Sequence, residues 1–142
     1  MKERWLGVDL GEARVGLAIS DPLGLFAHPL QTVRSSPRLL DEVCAVATDK
    51  GVGGIVVGLP KNMDGSLGPA ATKAKAFADG LQARLPTLKI VLWDERLTTV
   101  EAQRALQNAG RNVKQSRKMI DQVAAQILLQ SYLDAQSFAD DR

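Results

Sequence analysis

Five stretches of the chain are short and apolar enough to be strands. Helical spacing of apolar positions appears after the third stretch, between the fourth and fifth, and at the end of the chain. Trp5-Leu6-Gly7-Val8 runs into Asp9, Gly11-Glu12-Ala13 has turn chemistry, and Arg14 to Ser20 returns with apolar content, so residues 5–20 predict a hairpin. After Pro22-Leu23-Gly24, residues 25–33 predict a third strand, in which Pro29 implies an edge position or an irregular register. Ser36-Pro37 has the form of an N-cap followed by proline at the first helical position. Leu40, Val43, Cys44 and Ala47 then recur at helical spacing, and Gly51 supplies a stop.

Gly54-Ile55-Val56-Val57-Gly58 is a continuous apolar run, as expected of a strand covered on both faces. Residues 69–85, rich in alanine and lysine, predict a helix ended by Pro86, and residues 88–93 predict the fifth strand. Thr98 and Glu101 have capping-box spacing and open a short helix that Gly110 stops. A basic loop through Arg111, Lys114, Arg117 and Lys118 is expected to lead to a last helix over residues 116–136. The order β-β-β-α-β-α-β-α-α implies an antiparallel ladder of three strands followed by parallel β-α-β units with right-handed crossovers. The expected fold is α/β: a mixed five-stranded sheet with helices on both faces.

The chain has 142 residues, which suits one domain over residues 1–142. A single cysteine, Cys44, excludes a disulfide scaffold and every multi-cysteine zinc module. No apolar run approaches the ~20 residues of a membrane span, so a cytoplasmic protein without a membrane partner is expected. The formal charge of +2 permits nucleic acid as a partner without demanding it. The only histidine, His28, has no serine–aspartate arrangement around it, and no Walker-type phosphate loop occurs.

Carboxylates in apolar settings carry the remaining signal. Asp9 is embedded in the first strand, where a charge is costly unless it is paired or holds a cation. Asp94 and Glu95 close the fifth strand, and strand parity alone does not choose between them. Asp121 heads an apolar stripe through Ala125, Leu128 and Tyr132, which turns it toward the body of the protein. Each acid alone has a structural explanation in a turn, an ion pair or a helix dipole. Acids converging in one crevice repel unless cations neutralise them. Hard oxygen ligands in that number suit two Mg²⁺ or Mn²⁺ ions and phosphodiester hydrolysis. Arg14, Lys61, Asn62 and Arg96 lie at the adjoining turns and strand ends, where they could bind substrate phosphates.

Three runs of residues resemble the YqgF/RuvX family. They are Gly7-Val8-Asp9-Leu10-Gly11 with Arg14-Val15-Gly16-Leu17-Ala18, then Gly58-Leu59-Pro60-Lys61-Asn62-Met63-Asp64-Gly65, then Asp94-Glu95-Arg96-Leu97-Thr98-Thr99. Asp121 within Ile120-Asp121-x-x-Ala124-Ala125 matches the last motif, so the likeness spans nearly the whole chain. The resemblance implies an RNase H-like fold and a metal-dependent nuclease. It also implies Asp9, Glu95 and Asp121 as the metal-binding acids, with Arg14, Lys61, Asn62 and Arg96 on the substrate side. Cleavage of pre-16S rRNA is the first expectation and resolution of Holliday junctions the alternative, the latter calling for a homodimer. A non-catalytic nucleic-acid-binding module of ribosome assembly is a further option. An actin-like ATPase or sugar kinase, which opens with a similar strand-turn-strand, needs two such domains and does not suit this length.

Overall fold

The structure, a computed structural model, describes residues 3–62, 64–97 and 113–140. Five strands form one sheet: β1 (Trp5–Leu10), β2 (Arg14–Ser20), β3 (Ala27–Arg34), β4 (Gly54–Leu59) and β5 (Lys89–Asp94). Three helices accompany them: α1 (Leu39–Lys50), α2 (Pro69–Arg84) and α3 (Val113–Asp140). A single 3₁₀ turn, Glu95–Leu97, follows β5. The strand order is β3-β2-β1-β4-β5. β1 is antiparallel to β2 and parallel to β4, and β4 is parallel to β5, so the expected mixed sheet is present.

The two faces are covered by different helices. Leu6, Val8, Val15, Leu17, Ile55 and Val57 pack against Leu39, Val43 and Ala47 of α1 and Ala71, Ala74 and Leu81 of α2. On the opposite face Trp5, Ala18 and Val56 meet Ala125, Leu129, Tyr132 and Leu133 of α3. Both faces of β1 and β4 are therefore buried, which explains why Gly54–Leu59 is apolar without alternation. Tyr132 stacks edge-on against Trp5 and Trp93, with ring centroids 4.9 and 5.3 Å away. Trp93 Nε1 donates to Ser131 Oγ at 3.1 Å, which adds a polar tie between β5 and α3.

Three element starts are corrected. The third strand begins at Ala27 rather than residue 25, because Asp21 draws the amides of Leu25 and Phe26 to its carboxylate in a turn. β3 is an edge strand with a register shift opposite Leu17/Ala18, which suits Pro29 on both counts. α1 starts at Leu39, so Ser36 is not its N-cap and Pro37 is not its first residue. Ser36 instead closes the preceding turn, accepting from Arg38 N at its hydroxyl and from Leu39 N at its carbonyl. The last helix starts at Val113, so Lys114, Arg117 and Lys118 belong to its first turns and not to a loop. Nothing after Gly110 breaks a helix, and lysine, glutamine and arginine favour one. The predicted short helix from Thr98 to Gly110 lies outside the described residues, as does Arg111.

Leu129 is fully buried between α3 and the sheet. Leu129→Ala is expected to lower unfolding free energy by roughly 2–5 kcal/mol, read as an earlier urea midpoint with an unchanged slope.

Candidate active site

The site builds outward from Asp9, which is 5% exposed near the end of β1. Gly7 lies two residues earlier on the same face, and a Cβ placed there would touch Leu129 and the Ala125 carbonyl of α3. The Asp9 side chain therefore stands on the α3 side of the sheet. Its ladder partner on β2 is Gly16. On β4 the pairing of Val8 with Val57 puts Gly58 beside Asp9.

Both flanking positions are glycine, and both are covered. A Cβ at Gly16 would run into the Asp121 carbonyl oxygen, with the Asp121 Cα 3.3 Å away. A Cβ at Gly58 would lie 2.5 Å from Glu95 Oε1 and 3.1 Å from a Leu128 methyl. Asp121 thus sits over one neighbour of Asp9 and the Glu95 carboxylate over the other, on strands that each lie about 4.8 Å from β1. β1, α3 and the 3₁₀ turn after β5 bring these acids from distant parts of the chain to one end of one face.

Carboxylate oxygens in that number suit a hard divalent cation, and the two glycines allow Asp121 and Glu95 to approach the sheet closely. Even so, no group of three or more His, Cys, Asp or Glu among the described residues is assembled to hold an ion. Asp121 Oδ2 is engaged elsewhere, accepting from Arg14 Nε at 2.8 Å. The donor chemistry fits Mg²⁺ or Mn²⁺.

Asp94 and Glu95 have different surroundings in the fold. Asp94 faces the loops: its carboxylate accepts from Arg96 Nε and Nη2 at 3.1 and 2.8 Å, and Lys61 Nζ lies 3.9 Å away. The hydrogen bonds from Arg96 hold the Asp94 carboxyl below the usual aspartate range, with Lys61 adding to the effect. The pairing is therefore intact above that range and is lost only as pH falls through the lowered value. Glu95, the next residue, projects over Gly58.

Asn62 is held within its own turn, donating from Nδ2 to Ser66 Oγ at 2.9 Å. Asp64 closes the same turn, accepting from Ser66 N and Oγ, and those bonds lower its pKa. The structure thus turns Arg14 onto Asp121, gathers Lys61 and Arg96 at Asp94, and leaves Asn62 shaping a loop. Sequence reasoning passed over Gly16 and Gly58 as parts of the site. Their signal was present: glycine inside a strand often marks close approach of another group.

Comparison with known proteins agrees with this architecture. The family described as "RuvX: Holliday junction resolvase" matches residues 3–135. A "Putative pre-16S rRNA nuclease" from Halothermothrix orenii is 48% identical over 136 residues, covering 94% of this chain and 96% of the relative. One of the same name from Acetivibrio thermocellus is 42% identical over 135 residues, covering 93% and 96%. Among solved structures, Thermus thermophilus RuvC in complex with a Holliday junction substrate superposes with a TM-score of 0.60 at 16% identity, covering 95% of this chain and 96% of that one. The fowlpox virus Holliday junction resolvase gives 0.56 at 15% identity, covering 93% and 99%. At these identities the structural likeness speaks for the fold, which is RNase H-like.

The two glycines differ in what they meet, and the difference is measurable. Gly16→Ala drives a methyl into helix backbone and should cost roughly 1–3 kcal/mol in urea unfolding. Gly58→Ala meets only the ends of flexible side chains, Glu95 and Leu128, and should cost less than about 1 kcal/mol.

Proposed function

Because this chain belongs to the RuvX family, a family of nucleases, we propose that it is a divalent-metal-dependent endonuclease acting on structured RNA, with pre-16S rRNA as its substrate. The carrying observation is the stacking of Asp121 over Gly16 and of Glu95 over Gly58, on either side of Asp9. The curated relatives at 42–48% identity, named for pre-16S rRNA, support the choice of RNA. The family's description and the likeness to RuvC favour a second reading, resolution of four-way DNA junctions.

Asp9, Glu95 and Asp121 would hold two Mg²⁺ or Mn²⁺ ions. Such ions, when bound, activate water and stabilise the leaving oxygen of an in-line displacement. The chain's own residues do the rest. Asp9 has little freedom to move, since it is buried in the ladder between β2 and β4. The Glu95 carboxylate lies over Gly58, and the Asp121 backbone is seated on Gly16. Arg14 pairs with Asp121 and would compete with a cation for its carboxylate. Lys61 and Arg96 lie on the far side of Glu95, at the ends of β4 and β5, where they would bind backbone phosphates without reading sequence.

Asp9→Asn, Glu95→Gln and Asp121→Asn should each abolish Mn²⁺-dependent cleavage while leaving the far-UV circular dichroism unchanged. Full cleavage by the triple variant would falsify the assignment. A precursor rRNA fragment and a four-way DNA junction, incubated with one preparation beside its Asp9→Asn control, separate the two substrate readings by which is cut. The role of Arg14 has its own readout. Arg14→Gln removes the competing cation, so calorimetry should show Mn²⁺ binding several-fold tighter, whereas unchanged or weaker binding would rule out a counter-ion role.

A further inference from the structure

We propose that Asp94, adjacent to the acids assigned to metal, is a positioning residue that sets Lys61 and Arg96 as a paired phosphate clamp beside the site. The inference rests on the nuclease reading above for its ligand, the phosphate backbone of a nucleic acid. Three observations carry it. Asp94 is the last residue of β5 and pairs in register with Leu59, the last residue of β4. It therefore stands between the loops leaving two adjacent parallel strands. Its carboxylate also takes Arg96 side-on through Nε and Nη2, a fork that fixes the plane of the guanidinium. The other terminal nitrogen, Nη1, reaches the neighbouring loop, 3.5 Å from where a Gly65 Cβ would be.

The third observation is that Lys61 Nζ comes to the same carboxylate oxygen, 3.9 Å away. One anion thereby gathers a cation from each loop. The Arg96 and Lys61 side chains remain 40% and 29% exposed, while Asp94 is only 17% exposed, so the cations form the outer layer. Glu95 is the next residue in the chain, so Asp94 gives Arg96 and Lys61 an anion of their own beside the acids assigned to metal.

The test exploits a difference in sign. Removing a negative charge beside a bound polyanion should tighten binding if Asp94 is only a surface charge, and weaken it if Asp94 orients the clamp. Fluorescence anisotropy with a labelled RNA stem-loop and a four-way DNA junction, in EDTA at several salt concentrations, gives affinity and salt slope. Asp94→Asn is expected to bind about three- to tenfold more weakly, with a salt slope shallower by about 1, as for the loss of a phosphate contact. Arg96→Ala and Lys61→Ala should each do likewise. Adding Asp94→Asn to the Arg96→Ala/Lys61→Ala double variant should weaken binding no further, and Asp94→Glu should recover part of the loss.

Equal or tighter binding by Asp94→Asn overturns the proposal, as does additivity in the triple variant. Should Arg96→Ala and Lys61→Ala leave binding unchanged, the clamp itself is wrong. Absence of binding by the native protein to either probe removes the nuclease reading and the clamp together. Thermal unfolding of Asp94→Asn within a few degrees of the native protein shows that lost affinity is not lost fold.

Discussion

Helix α3 lies on the sheet so closely at Gly16 that no side chain fits between them, and the placement of the acids follows from that contact. The Asp121 backbone occupies the space a Cβ would take, and Gly16 is the ladder partner of Asp9. A helix held further out by a larger residue would carry Asp121 away from Asp9 at the same time. The approach is maintained along the rest of α3 by apolar and polar ties. Leu129 packs against Gly7, Tyr132 stands between Trp5 and Trp93, and Gln126 and Gln130 hydrogen-bond the backbone of Ala27 at the start of the edge strand. Close-packed contacts transmit strain with little loss, so substitutions in this distant layer would be felt at the acidic end.

Gathering acids at one place raises a charge problem that the chain resolves unequally. Asp121 is neutralised by Arg14, an arginine on β2 a long way off in sequence. Asp94 is neutralised by its near neighbour Arg96 and by Lys61. The Arg96 pair is at the rim, where water screens it and its contribution to stability is small. Orientation is thus the main consequence of the Asp94 pairings, whereas the Arg14 pair sits against the surface on which the acids converge. Neighbouring acids of like charge, Asp94 and Glu95, have different surroundings because the 3₁₀ turn that begins at Glu95 carries its carboxylate over Gly58.

Much of this architecture was legible along the chain. The strands showed themselves by short apolar runs, and the continuous run in Gly54–Leu59 correctly implied burial on both faces. Pro29 marked the edge strand, and Gly51 ended α1 in the left-handed conformation. Element starts were less readable, since they depend on which of several competing hydrogen bonds wins. Ser36 closes a turn instead of capping α1, and Asp21 takes two amides that a longer β3 would have needed. At the site, residue types pointed to acids but periodicity was indifferent between Asp94 and Glu95. Only the packing of the 3₁₀ turn over Gly58 separates them. The pairing of Arg14 with Asp121 spans most of the chain and leaves no local trace, so no spacing rule would find it.

The position of Asp9 on β1 has a topological reason. β1 is the strand at which the sheet changes character, antiparallel toward β2 and parallel toward β4. Connections on the antiparallel side return by a tight turn through Gly11, whereas those on the parallel side must leave the sheet and cross through a helix. The loops at this end of the sheet therefore part around β1, the arrangement of a switch point in an open α/β sheet. An acid on an outer strand would find loops on one side only. On β1 it can be approached from β2 by Arg14 and Asp121 and from β4 and β5 by Glu95, while the ladder on both edges keeps it in place. The same asymmetry explains why the cations divide as they do. Arg14 follows the short turn at the start of β2, whereas Lys61 and Arg96 ride on connections that leave the parallel strands.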